Sequence, residues 1–493
     1  MLNAAIHRKL SKNFNRTYTV GELRFIHSFG FWGECLFSIF KPSLFIEPIE
    51  DPEKIKQDYR YWRLRICYSI FLGYAIFYFT RKSFTFAMPA LIVELGYTKA
   101  ELGMVGSALY LSYGVSKFVS GVISDRSNPR YLMSIGLIIT GILNIVFGYT
   151  TSILSMAILW GMNGWFQAWG WPAATKLLTN WYSKSERGFW YALCSTSHNA
   201  GGALIPLIVG WAAVYFGGWQ WGLFVPGVIS IVMGVVLMFL LRDVPQTLGL
   251  PSIDEYKDHL QNQTQLVKPV TCKQQILSVR EILFKQVLNN KYVWTLSIAY
   301  FFIYIVRTAL NDWMPLFLME TRGYEQIAAN AAVFWFEIGG VVGMLITGWG
   351  SDFFFGSKRV PMMVICALGM IFSAWAVYFS PFSSLFLDYF YLVLAGVFVF
   401  GPQMLVGLAA AELVDKRAAA ASNGFIGTLA YFGAASAAYP LGIAIDKYDW
   451  GGFFSFLVVC SVAVFVLLLP LWQVGRTNIA RRRTDNKVVT SQA

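Results

Sequence analysis

Charge is what this sequence has least of. Asp, Glu, Lys and Arg together make up 13% of its 493 residues, about half the share in a soluble domain. Mean hydropathy is +0.52 and 56% of the residues are hydrophobic, which excludes an ordinary water-soluble fold. Cysteine is also scarce. Cys35, Cys67, Cys194, Cys272, Cys366 and Cys460 are scattered without a CxxC or Cys/His cluster, so neither a disulfide framework nor a metal centre organises the chain. Enzyme signatures are missing: there is no H-E-x-x-H, no G-x-S-x-G and no Walker loop. That argues against an enzyme, a nucleotide-driven pump and a resident cofactor.

Long apolar runs are what is there. Stretches of roughly 20 residues match the bilayer core and predict helices near 64–89, 101–122, 131–149, 153–175, 188–215, 220–241, 291–317, 327–349, 360–380, 385–409, 417–444 and 450–473. The expectation is an all-α integral membrane protein with twelve spans in two six-helix bundles. Residues 1–60 form an N-terminal extension, 61–241 the first bundle, 242–290 a polar linker, 291–473 the second bundle, and 474–493 a basic tail. Phe25, Phe29, Trp32, Leu36, Ile39 and Phe40 recur at helical spacing among polar residues. Lys41-Pro42-Ser43 supplies no small-residue cleavage site, so an interfacial amphipathic helix fits better than a signal peptide.

The net charge of +12 is one-sided. Arg126, Arg130, Lys176, Lys184, Arg187, Lys358, Arg359, Lys416, Arg417 and the arginines of the tail share one face of this topology. Lys99, Arg322 and Lys447 are nearly all that the other face holds. This bias puts both termini in the cytoplasm and accounts for the basicity without nucleic acid. The bilayer itself is then the largest partner.

Two arginines sit where charge is least welcome. Arg81 and Arg307 lie deep in apolar segments, each 15 residues along its helix from Ile66 and Tyr292, about 22 Å of rise. Arg81 precedes Asp125 of Gly121-Val-Ile-Ser-Asp125 by 44 positions, and Arg307 precedes Asp352 of Gly348-Trp-Gly-Ser-Asp352 by 45. The two halves repeat one plan, as transporter bundles with a midplane site do. A charge at the bilayer centre costs roughly 2.5–3.5 kcal/mol on insertion scales, and no acid is close to Arg81 in sequence. A mobile anion is the natural partner. Guanidinium forks onto two phosphate oxygens in a way that a lysine cannot.

The chain resembles the major facilitator superfamily at Gly121-x-x-x-Asp125-Arg126-x-x-x-Arg130 and at the reduced second copy Gly348-x-x-x-Asp352. Within it, the organophosphate:phosphate antiporter family is resembled at Tyr78-Phe-Thr-Arg-Lys-Ser-Phe84, Tyr113-Gly-Val-Ser-Lys-Phe118, His198-Asn-Ala-Gly-Gly202, and Arg307 with Asn311-Asp-Trp313. Arg81-Lys-Ser-Phe84, Phe400-Gly-Pro-Gln-Met404 and Arg242-Asp-Val-Pro-Gln246 look most like its hexose-6-phosphate branch. The similarity runs from about Leu36 to Pro470. It implies a bacterial inner-membrane antiporter, a monomer as is usual for the fold, that exchanges a sugar phosphate for inorganic phosphate by alternating access. That branch also contains a glucose 6-phosphate sensor working with a membrane histidine kinase, which is the alternative reading.

The resemblance implies that Arg81 and Arg307 are the phosphate clamp, with His198 and Lys117 beside it. It implies that Tyr74, Tyr78, Tyr113, Gln167 and Tyr304 line the cavity. Read as residues alone, Lys117 can equally snorkel from a helix end, His198 can be a packing residue, and each aromatic can be core. Asp312 and Glu337 either balance Arg307 or Lys117 or form a switching salt bridge. Asp125, Arg126, Arg130 and Asp352 are candidate gate residues, or a topology signal only. Lys82 points about 100° away from Arg81. The eleventh span carries no charge from Ser422 to Tyr439, leaving Asn423, Thr428, Tyr431 or Ser436 for recognition.

Overall fold

The structure is a computed structural model that describes residues 45–183, 186–253, 255–256, 287–356, 358–380, 384–414 and 419–472. The amphipathic segment near 25–40, most of the linker, the basic tail, and the side chains of Asp125 and Arg126 lie outside the described residues.

Every regular element among the described residues is helical. The first bundle comprises α1 (Pro52–Leu95), α2 (Lys99–Arg126), α3 (Pro129–Gly148), α4 (Ile153–Gln167), α5 (Gly170–Trp181), α6 (Arg187–Ser195), α7 (Ser197–Phe216) and α8 (Trp221–Leu240). The second comprises α9 (Lys291–Arg322), α10 (Gln326–Phe353), α11 (Arg359–Phe379), α12 (Leu385–Glu412), α13 (Ala419–Ser436) and α14 (Tyr439–Leu468). They make twelve crossings. The fourth is α4 and α5 with a break at Ala168–Trp169, and the fifth is α6 and α7. The eleventh is α13 with the start of α14, which turns back at Asp449, a non-glycine residue at φ 54°. By length and composition eight stretches are apolar enough to cross a membrane, the last holding the eleventh and twelfth crossings together. Those left out are the first and second crossings, which carry more polar residues, and the fourth, whose two pieces of 15 and 12 residues are each too short.

Local chemistry sets the ends. Asp51 accepts from the backbone N–H of Glu53 and Lys54, and Pro52 stands at the first helical position, so α1 begins a dozen residues before its apolar run. Thr98 and Glu101 form a capping box at the start of α2. The first helices of the two bundles end alike, on Gly96 at φ 69° and Gly323 at φ 68°, in the left-handed conformation that glycine adopts without strain.

Small residues let the helices touch. A Cβ on Gly201 would collide with the Ala75 carbonyl of α1, and one on Gly339 with the Val393 carbonyl of α12. At the end remote from the termini, the bundles meet. Lys99 of α2 pairs with Glu320 of α9 at 2.8 Å, and Trp450 Nε1 donates to the same carboxylate at 3.0 Å. The Ala100 N–H donates to Asp446 at 2.8 Å, and Ser107 Oγ to the Ala435 carbonyl at 2.7 Å. At the opposite end, Arg63–Glu186 (2.7 Å), Arg359–Asp352 (2.7 Å) and Arg359–Glu412 (3.2 Å) each run within one bundle.

Candidate substrate site between the bundles

Arg81 comes from the middle of α1 and is 5% exposed. Its Nε donates to Gln167 Oε1 at 3.2 Å, and Gln167 in turn donates to Thr80 Oγ1 at 2.8 Å. Its guanidinium lies 4.3 Å from the Tyr78 ring and 4.6 Å from the Tyr113 ring. Arg307 is the counterpart on α9, 5.5 Å from the Tyr304 ring and 4.8 Å from that of Phe400. Neither arginine has an ion pair among the described residues. Aromatic faces can hold a desolvated cation but cannot cancel its charge.

These contacts close on themselves. From Arg81 the path runs through Tyr113 to Tyr431 (4.2 Å, stacked), then Tyr304 (5.6 Å), Arg307, Phe400, His198 (6.5 Å) and Tyr78 (5.8 Å), and so back to Arg81. The belt draws on α1, α2, α7, α9, α12 and α13, which means both bundles. His198 Nδ1 meets the Ser195 carbonyl where α6 breaks into α7. Its Nε2, one terminal nitrogen of Arg81 (Nη2) and Gln403 Oε1 are buried without a hydrogen-bond partner among the described residues, so they retain capacity to bond a ligand. Lys117 Nζ stands 5.1 Å from the Tyr431 ring, which brings it to the site rather than to a helix end. Tyr74 packs on Trp171 at 4.8 Å and joins the belt at Tyr78, 5.9 Å away, and by a side-chain hydrogen bond with Tyr113.

Neither acid forms an ion pair with an arginine of the belt among the described residues. Asp312 meets neither Arg307 nor Lys117. It takes Lys82 Nζ at 2.6 Å and Tyr110 Oη at 2.6 Å, so the residue pointing away from Arg81 ties α1 to α9 across the bundle boundary. Glu337, 1% exposed, accepts one amide from each bundle: Asn199 at 2.9 Å and Asn311 at 2.9 Å. It also makes no ion pair among the described residues. Helical geometry explains the first result, since five residues turn Asp312 well away from the Arg307 side chain. Asp352 and Arg130 lie at the terminal end, with Arg359 and the Met238 carbonyl as respective partners.

The charge count follows. Arg81, Lys82, Lys117 and Arg307 face Asp312 and Glu337, an excess of two positive charges with His198 neutral. Sequence reasoning did not single out Asn199 and Asn311, although both stand in quoted motifs beside His198 and Asp312. Of the four polar choices on the eleventh span, Thr428 and Ser436 bond their own helix at Gly424 and Phe432, and Asn423 is exposed. Tyr431 is the one that enters the belt.

The sequence profile of the Major Facilitator Superfamily matches residues 70–438. The chain belongs to that superfamily. Its membership agrees with the lack of enzyme motifs and makes it a multi-pass membrane protein. It is 51% identical over 450 residues to a probable hexose phosphate transport protein of Chlamydia trachomatis, covering 90% of this chain and 98% of that one. It is 46% identical over 420 residues to the membrane sensor protein UhpC of Escherichia coli, covering 85% and 94%. It is 35% identical over 446 residues to a glycerol-3-phosphate transporter of Bacillus subtilis, covering 90% and 99%. Among solved structures, it resembles a bacterial homologue of the human lysosomal transporter Spinster, inward-facing and unoccupied, with a TM-score of 0.68 at 15% identity. That match covers 83% of this chain and 96% of that one. At such identity the last likeness speaks for the fold alone.

Proposed function

We propose that this protein exchanges a hexose 6-phosphate for inorganic phosphate by alternating access across a bacterial inner membrane. The observation that carries the reading is the uncancelled double positive charge of the belt. A phosphate monoester above its second ionisation near 6 supplies two negative charges, and Arg81, Arg307 and Lys117 offer it donors. His198, whose Nδ1–H faces the Ser195 carbonyl, adds a donor at Nε2 only when it takes up a second proton. Tyr78, Tyr113, Tyr304, Tyr431 and Gln167 are left for the sugar hydroxyls. With the site empty, the bundles must reorient around unbalanced buried charge, which raises the barrier. With either anion bound the charge is balanced and the barrier falls. That difference makes the carrier an exchanger rather than a uniporter.

With cytoplasmic termini, the closed Lys99–Glu320 end faces outward and the bundles, 61–241 and 291–473, rock about the site while 242–290 links them. Transport then requires that end to open. Glu337 of the second bundle accepts an amide from each bundle, and Asp312 of the second bundle takes its partners from the first, so both suit the partner exchange that accompanies such a motion. Asp125, Arg126, Arg130 and Asp352 belong to the opposite, inner gate. A monomer suffices for this scheme.

Purified protein in phosphate-loaded vesicles tests the proposal. Uptake of labelled glucose 6-phosphate should require internal phosphate, and equal uptake into phosphate-free vesicles would overturn exchange. The 46% identity to a membrane sensor favours a second reading, in which the same site detects glucose 6-phosphate and signals to a membrane histidine kinase. Saturable binding without exchange in the same vesicles would select that reading.

A further inference from the structure

Three arginines converge on the terminal-side end of the first bundle, far from the belt. Arg65 of α1 donates from Nε to the Leu240 carbonyl (3.2 Å), from Nη2 to that of Phe239 (2.9 Å) and from Nη1 to Tyr61 Oη (2.7 Å). Arg130 of α3 donates from Nε to the Met238 carbonyl. Arg242, just past α8, donates from Nη1 to the Leu241 carbonyl at 2.9 Å and to Phe239 at 3.3 Å. All three therefore gather on the open carbonyls of the last turn of α8. The Trp62 ring lies between two of them, 4.7 Å from Arg65 and 5.3 Å from Arg242.

A helix C-terminus carries about half a negative charge, so it offsets a fraction of three guanidinium groups. None of the three has an ion pair among the described residues; Asp243, the acid that follows Arg242, is buried and makes no ion pair with them. Burial and then the repulsion of Arg130 and Arg65 push Arg242 below its ordinary value. Arg130 and Arg242 each commit one nitrogen and keep the rest of the fork. The same helices carry an exposed apolar strip leading to this end: Leu64, Tyr68 and Leu72 on α1, and Val235 and Phe239 on α8.

We infer that this cluster seats the phosphate of an anionic phospholipid, with an acyl chain along the α1–α8 strip. The charge is complementary, the free forks suit phosphate oxygens, and the apolar strip continues where the acyl chain must go. Basic pockets between membrane helices bind anionic headgroups on these grounds. A free phosphate would use the cations and leave the strip uncovered.

The test uses full-length protein in detergent with added phosphatidylglycerol, phosphatidylcholine or inorganic phosphate. Phosphatidylglycerol should raise the melting temperature more than phosphatidylcholine does, and the doubly substituted Arg65→Gln/Arg242→Gln protein should lose that difference. Native mass spectrometry of the unaltered protein should retain about one phosphatidylglycerol where phosphatidylcholine is stripped, a readout that stands even if the substituted protein folds poorly. An equal phosphatidylglycerol response in both proteins overturns the site. So does a response to inorganic phosphate that the same substitutions abolish, since the occupant would then be a free anion. Phosphate binding at the belt is untouched by Arg65 and Arg242, so failure here leaves the transport proposal standing.

Discussion

Arg81 and Arg307 were legible one residue at a time, because a guanidinium deep in an apolar segment has few tolerable explanations. Their spacing to the two Asp-containing turns added the symmetry. Replacing either by Lys keeps the charge and loses the fork. A charge-assisted hydrogen bond is worth about 1.5–3 kcal/mol, so phosphate exchange by Arg81→Lys or Arg307→Lys vesicles should fall roughly tenfold to a hundredfold. Unchanged exchange in both would remove the clamp. His198 was ambiguous as a residue, since a lone membrane histidine is often packing. The structure gives it a buried, unpartnered Nε2. His198→Gln, which still offers an amide, should keep more phosphate affinity than His198→Ala in a binding titration; equal loss would make the residue structural. What no single residue revealed was the pairing of the acids.

At the scale of helices, apolar runs located the spans well, and the caps corrected their ends. Asp51-Pro52 starts α1 in a polar stretch where hydropathy gives no signal. Some glycines of the runs stand where one helix meets the backbone of another. Gly339→Ala forces a methyl onto the Val393 carbonyl between α10 and α12, and overpacking of this kind costs about 1–3 kcal/mol. A lowered melting temperature checks it, with Gly323→Ala as a control that instead strains a turn with open space around it. The connection ahead of α6 carries its own pH dependence. Burial works to raise the Glu186 carboxyl, but the Arg63 bond and charge, with Ser183, outweigh it and hold the group below its ordinary 4.5. A depressed carboxylate adds stability that is complete above the unfolded value and fades as pH falls through the folded one. Melting temperature should therefore drop below about pH 4.5 in the parent protein, and Glu186→Gln should flatten that part of the profile.

Across the whole molecule, the decisive feature is which bundle each polar side chain addresses. Lys82 and Asp312 come from different bundles and form a buried pair. Removing one partner leaves a buried charge uncompensated, which costs about 3–5 kcal/mol, whereas removing both is far milder. Lys82→Gln and Asp312→Asn should each destabilise strongly, and the double substitution should recover much of the loss in a double-mutant cycle. Additive losses would show that the pair is not coupled. Lys99–Glu320 is more exposed and worth at most about 1 kcal/mol. Glu320→Gln should therefore shift the balance toward opening that end up to about fivefold, read by alkylation of a cysteine placed at Ala438.

The sequence by itself determined the membrane class, the twelve spans, the twofold plan and the two arginines, because each follows from hydropathy or from the cost of charge in lipid, which are local quantities. The tertiary structure alone decided that Asp312 belongs to Lys82, that Asn199 and Asn311 share Glu337, and that Tyr431 and Phe400 complete the belt. Those choices depend on how twelve helices rotate and cross. A rotation of one residue, about 100°, exchanges one set of neighbours for another without changing the apolar pattern that a sequence displays.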